Sequence, residues 1–230
     1  MSRFKCVFCA ALLLGGFLSS GCESIVYAKD SQQTTSSNEE GIEQSKKLVS
    51  NLCHDALEII STKNITVEEA EKRFKPLLEN NFALSSICKY IFGVQFKNLT
   101  EEQKKKCLKG FSRVLIKAYV KTFLAYKASK IDINVVRVKL GARKDRYIVM
   151  SVIKIPGKED IRLNWSVYYI DKRYLVFDVI VDGVSLSKIQ KTLMAERLKA
   201  NGSKNKQNAL DRVVDEIDSG NFKLSENNES

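Results

Sequence analysis

Across residues 133–181 the apolar residues recur at every second position in successive stretches, whereas before Ala128 they recur every three or four. Ile133 and Val135, then Val136, Val138 and Leu140, mark one strand, and residues 147–155 mark the next. Pro156-Gly157 is a turn signal, after which Ile161, Leu163, Trp165, Val167 and Tyr169 alternate with polar neighbours. Asp171-Lys-Arg173 makes a tight link to a fourth strand over residues 174–181. Four consecutive strands with short links predict an antiparallel meander. The second and fourth are apolar on both faces, as Ile148, Met150 and Val152, or Val176 and Ile180, indicate. A sheet of that kind needs a helix or a ligand against each face.

The half before the sheet is helical by its periodicity. Residues 29–41 are rich in Ser, Thr, Gln, Asn and Glu, with little to bury, and read as a disordered leader. Leu48, Leu52, Ala56 and Ile59 lie on one face of a first amphipathic helix over residues 42–60. Thr66-Val-Glu-Glu69 is a capping box opening a second helix, with an interruption or kink expected at Pro76. A short helix over residues 84–92 ends at Gly93, and Thr100-Glu-Glu-Gln103 opens a long one. The long helix carries Cys107, Phe111, Val114, Leu115, Ala118, Thr122 and Tyr126 on one stripe. After residue 186 two further helices follow, the last over residues 208–217, and residues 220–230 read as a polar tail.

Arg3 and Lys5 precede an apolar stretch over residues 6–18, too short to span a bilayer and of the length of a secretory signal. Residues 1–28 are therefore expected to be a signal peptide. Val26-Tyr-Ala28 offers a cleavage site, and Leu18-Ser-Ser-Gly-Cys22 resembles a lipoprotein box with one residue too many, so lipid anchoring at Cys22 stays open. The 38 basic and 27 acidic residues give a net charge of +11. Without residues 1–28 the balance is 36 against 26, or +10. A basic exported protein meets anionic lipid headgroups or acidic protein faces, although a Lys-rich solvated surface reads the same way. No nucleic-acid partner is expected, because the lysines are spread along helix faces without an aromatic-interleaved groove.

Cys53, Cys88 and Cys107 lie outside the signal segment. In an oxidising compartment Cys88 and Cys107 are the pair to consider for a disulfide, yet each cysteine also falls on an apolar helix stripe. No cysteine or histidine spacing suggests a metal, and no cofactor is implied. His54 sits beside Cys53 and Asp55 on a helix, where adjacent side chains do not face one another. Phosphate-loop, GxSxG and HExxH patterns are absent from the sequence.

The phrase Asp178-Val-Ile-Val-Asp-Gly-Val-Ser-Leu186 resembles the signature of the MlaC-type (toluene-tolerance) family of periplasmic phospholipid-binding proteins, matching at Asp178, Asp182, Gly183, Val184, Ser185 and Leu186. A second matching stretch is Phe82, Ile91-Phe-Gly93, Phe96, Thr100-Glu-Glu-Gln103, Phe111 and Tyr119. Together they extend the resemblance over residues 42–219, read as one domain. The resemblance implies an α+β fold, helices on a four-stranded twisted antiparallel sheet enclosing an apolar pocket. It also implies a non-enzymatic, monomeric carrier in the periplasm. Such a carrier would take a phospholipid by its acyl chains between an outer-membrane lipid-transfer complex and an inner-membrane ABC transporter complex.

An acyl chain of about sixteen carbons costs on the order of 12 kcal/mol to expose to water at roughly 0.8 per methylene, so carriage requires an apolar sleeve. The resemblance implies that the sleeve lies between sheet and helices. Phe92, Phe111, Leu115, Tyr119 and Phe123 are placed on its helical wall, and Met150, Val152, Trp165, Val167 and Val179 on its sheet wall. The same residue types would also serve as ordinary core. Two alternatives stand beside carriage: an envelope protein whose basic face docks a partner, and an enzyme using Asp178 as acid or base. The chain departs from the family where Lys188-Ile-Gln190 and Leu193 stand in place of an Asn-Tyr-Arg triplet and Phe, which bears on headgroup preference. It departs again at Ala83, where an aspartate is usual.

Overall fold

The computed structural model describes residues 31–127, 129–143, 145–201 and 206–222. Helices come first, then a sheet, then two closing helices, the α+β order expected. Helix α1 (Ser31–Ser61) begins before Ile42, so the segment read as a leader is helical from residue 31. Gly41 is buried so closely under the Tyr147 ring that an added Cβ would overlap it. Such a tertiary contact extends the packed part of the helix into a stretch whose polar composition suggests none.

Helix α2 (Val67–Asn81) is capped by Thr66, whose hydroxyl accepts from the Glu69 amide at 3.1 Å. It runs through Pro76 without the expected interruption. The proline is exposed, and so is Lys72, whose carbonyl loses its amide partner there and can be hydrated instead. Helix α3 (Leu84–Phe92) stops at Gly93, where φ of +56° suits glycine, and a 3₁₀ turn (Gly93–Asn98) follows. Helix α4 (Glu101–Leu124) opens with the full capping box, Thr100 N–H donating to Gln103 Oε1 at 2.8 Å and Gln103 N–H to Thr100 Oγ1 at 3.2 Å.

Strands β1 (Asp132–Leu140), β2 (Arg146–Lys154), β3 (Ile161–Ile170) and β4 (Arg173–Val181) form the antiparallel meander in sequence order. A two-residue β5 (Val184–Ser185), not foreseen from the alternation, adds to the edge of β4. Asp171 and Lys172 have positive φ, as do Asp182 and Gly183, so both hairpins close through two left-handed residues. The phase break between Val135 and Val136 in the sequence is a bulge in β1: Val136 is 66% exposed and Val138 resumes the inward set. Helices α5 (Leu186–Asn201) and α6 (Lys206–Ser219) close the chain. Phe222 is buried in the core beyond α6, so the domain continues past residue 219.

Three cores hold these elements. Val49, Leu52 and Cys53 of α1 pack on one sheet face against Val149, Trp165 and Val176. A helical core joins Phe92, Phe111, Val114, Met194 and Val213, and Ile59, Phe74 and Val120 bind α1, α2 and α4 together. Among the described residues no helix is long and apolar enough to cross a membrane, and the expected export signal lies outside them. Gly110 brings α4 against α6: an added Cβ would strike the Ile217 carbonyl and come within 2.9 Å of Asp218 Cα. Gly110→Ala is therefore expected to lower stability by about 1–3 kcal/mol, measured by urea unfolding, because both obstacles are backbone.

Candidate functional site

Directly opposed residues of antiparallel strands share a face, and successive residues alternate between faces. Val149 lies opposite Trp165, and Trp165 opposite Val179, while Met150 lies opposite Asn164, and Asn164 opposite Ile180. The expected sheet wall is therefore divided. Trp165, Val167 and Val179 belong to the face packed on α1, and Met150 and Val152 belong to the other. Because β2 is apolar on both sides, the sequence does not reveal which of its sets goes with which set of β3. On the α1 face Trp165 Nε1 donates to Ser151 Oγ at 2.9 Å, both buried, and Val149 and Val167 are fully enclosed.

The opposite face is open. Ile148, Met150, Val152 and Ile180 are half-buried there, and none belongs to any of the three cores. Helices α3 and α5 pack against β4, leaving β2 and β3 without closely packed helical cover on this side. Helix α5 carries Leu186, Ile189 and Leu193, also half-buried and outside the cores. Their i, i+3, i+7 spacing is a signal that reading α5 as an amphipathic helix would have found.

Of the helical wall, Phe92 and Phe111 are enclosed in the helical core, and Leu115 and Tyr119 border it. Phe123, by contrast, is 42% exposed near the end of α4, its ring 6.4 Å from that of Tyr119 and 5.7 Å from that of Phe74. Burial raises the Tyr119 pKa above the ordinary range, outweighing the opposing influence of the neighbouring Gln190 side chain. Gln190, standing where the family triplet ends, is only 4% exposed, and its Oε1 has no hydrogen-bond partner among the described residues.

Charge surrounds the open face. Lys139 lies opposite Ile148, Arg137 opposite Met150 and Arg162 opposite Val152, and Arg146 begins the same set in β2. An aromatic run leads from this edge toward the helices: Tyr168 stacks on Phe177 at 4.6 Å, and Phe177 meets Tyr90 at 5.6 Å. Lys191 Nζ lies 4.5 Å from the Tyr90 ring. Beyond it an open groove of about 670 Å³ runs between α3, α5 and α6, lined by Phe92, Val94, Lys191, Met194 and Leu198.

Asp178 holds the corner between sheet and α5. Its Oδ1 accepts from the Ser187 amide at 2.9 Å and its Oδ2 from Ser185 Oγ at 2.6 Å, while Ser185 Oγ accepts from the Lys188 amide at 3.1 Å. Both carboxylate oxygens are thus engaged in starting the helix. His54 is exposed on α1. Cys53, Cys88 and Cys107 are free and buried, and burial pushes the Cys53 and Cys107 thiols up to about 12 and raises that of Cys88 as well. Among the described residues no group of three or more His, Cys, Asp or Glu side chains could hold a metal.

Asp178→Ala is expected to cost roughly 2 kcal/mol in thermal or urea unfolding, by loss of a charge-assisted cap. The three thiols should resist a disulfide-exchange reagent in the native state near pH 8, where about one part in ten thousand is thiolate for a pKa of 12, and react together once the chain is denatured.

The chain matches a family model and several solved structures. The family model described as "MlaC protein" matches residues 50–217. A solved structure from Ralstonia solanacearum, described as a phospholipid-binding protein in complex with a phospholipid, superposes with a TM-score of 0.65 at 17% identity. The match covers 76% of this chain and 97% of the other. No curated protein matches the sequence.

Proposed function

This chain belongs to the MlaC family, and from that premise we propose that it binds a phospholipid by its acyl chains and carries it through the periplasm. The observation that carries the proposal is the row Ile148, Met150, Val152 on β2, with Ile180 of β4 on the same face beyond Asn164 of β3: apolar, half-buried and outside every core. Fully burying an aliphatic side chain is worth about 1.5–3 kcal/mol, so a face left in this state gains by covering it with hydrocarbon. The basic rim of Arg137, Lys139, Arg146 and Arg162 suits an anionic headgroup at the edge of that face. The Ralstonia protein of the same fold, described as bound to a phospholipid, supports the same class of ligand.

In this reading Met150, Val152, Ile148 and Ile180 form the sheet wall, and Leu115 and Tyr119 of α4 with Leu186, Ile189 and Leu193 of α5 form the helical wall. Phe92 and Phe111 back the wall from the core, Phe123 lies at its rim, and Trp165, Val167 and Val179 support the sheet from behind. The protein works as a monomer, without catalysis or cofactor. It collects and delivers lipid at an outer-membrane lipid-transfer complex and at an inner-membrane ABC transporter complex.

Native mass spectrometry with lipid extraction, on protein purified from a bacterial envelope without detergent, tests this. A stoichiometric phospholipid adduct is expected. Val152→Glu should abolish it while leaving the circular dichroism spectrum unchanged, since the side chain is on the uncovered face. An apo mass that persists after incubation with liposomes would instead favour an envelope protein whose basic face docks a partner.

A further inference from the structure

Four arginines are half-buried among the described residues: Arg73, Arg113, Arg146 and Arg197. Arg73 bonds Thr62 Oγ1 at 2.8 Å and pairs with Glu58, Arg113 donates to the Asp218 carbonyl at 2.6 Å, and Arg197 pairs with Glu216 at 3.2 Å. Arg146 differs from all three. Its Nε is buried without a hydrogen-bond partner among the described residues. A desolvated guanidinium N–H lacking an acceptor is costly, and native structures almost always satisfy such groups.

The surroundings of Arg146 hold its plane rather than its charge. The guanidinium carbon lies 4.3 Å from the centre of the Tyr168 ring, its cross-strand partner, and Tyr168 is stacked in turn on Phe177 with the rings 3° from parallel. The nearby carboxylates have other engagements: Asp145 pairs with Arg143 at 3.8 Å, and Asp178 caps α5. A guanidinium whose face rests on an aromatic ring keeps its in-plane N–H edge for a ligand, and that edge matches two oxygens of a phosphate. Arg146 also precedes Ile148, Met150 and Val152 on one face of β2, so the cation stands at the end of an apolar row about 13 Å long at 3.3 Å per residue.

We infer that Arg146 recognises the phosphate group of the carried lipid, holding it with the guanidinium edge that Tyr168 leaves free while the acyl chains lie along Ile148, Met150 and Val152. This rests on the phospholipid-carrier reading above. It makes the site selective for phosphate-bearing lipids over neutral ones of the same chain length.

The test compares wild type, Arg146→Gln and Arg146→Lys after incubation with phosphatidylglycerol vesicles or with vesicles containing diacylglycerol, reading retained lipid by native mass spectrometry and fold by circular dichroism. Arg146→Gln should retain about tenfold less phosphatidylglycerol than wild type, the effect of a lost charge-assisted pair, with diacylglycerol unchanged. Arg146→Lys, which keeps the charge without the planar edge, should fall between them and serves as the deciding variant if the glutamine form does not fold. Equal retention of phosphatidylglycerol by wild type and a folded variant would overturn the inference. If wild type retains neither lipid, carriage itself fails, and the phosphorus-31 resonance of inorganic phosphate becomes decisive. Broadening that disappears in the variant would keep Arg146 as an anion site served by free phosphate, whereas broadening independent of Arg146, or none, would overturn it.

Discussion

The structure depends on a sheet whose second strand is apolar on both sides, with helix α1 packed along one face and, among the described residues, α3 and α5 packed on the other at β4. Helix α1 seals its side with Val49, Leu52 and Cys53 against Val149, Val167 and Val176. The opposite side is approached by α3 and α5 at β4, which leaves the middle of β2 outside the cores. A protein interior is normally packed to the density of an organic crystal. The face bearing Ile148, Met150 and Val152 is half-buried and outside the cores, and the proposed ligand would cover it.

Helix α5 borders that face at β4. The helix starts directly from β5 because Asp178, Ser185 and Ser187 tie the end of the sheet to the first turn, and the left-handed Asp182-Gly183 pair reverses the chain just before it. Gln190 then meets Tyr119 of α4, so the same helix spans from the sheet edge to the long helix. The family phrase at residues 178–186 is thus mostly a joint. Its acid is engaged with a hydroxyl and an amide, which accounts structurally for an aspartate there.

Charge and aromatic rings divide the labour at the rim. Tyr168, Phe177 and Tyr90 form a continuous run with Arg146 at one end and Lys191 at the other. Cations over ring faces are held in orientation while their hydrogen-bonding edges stay available. That arrangement places positive charge at both ends of a hydrophobic bridge between the sheet and α5, close to where an anionic amphiphile would need it.

Much of the fold was legible in the chain itself. Period two against period three to four separated sheet from helices, Thr100 and Gln103 marked the start of α4, and Gly93 the end of α3, whereas the bulge between Val135 and Arg137 came to light only in the pairing of β1 with β2. Each is a local property, set by backbone geometry and capping within a few residues. Tertiary structure alone decided the rest. Gly41 made the polar leader part of a packed helix, Phe222 extended the core past α6, and strand pairing sent Trp165, Val167 and Val179 to one face and Met150 and Val152 to the other. Where both sets of a strand are apolar, alternation fixes that two faces exist but not which helix each will meet. That choice is made by register and by long-range packing, which no window of neighbouring residues contains.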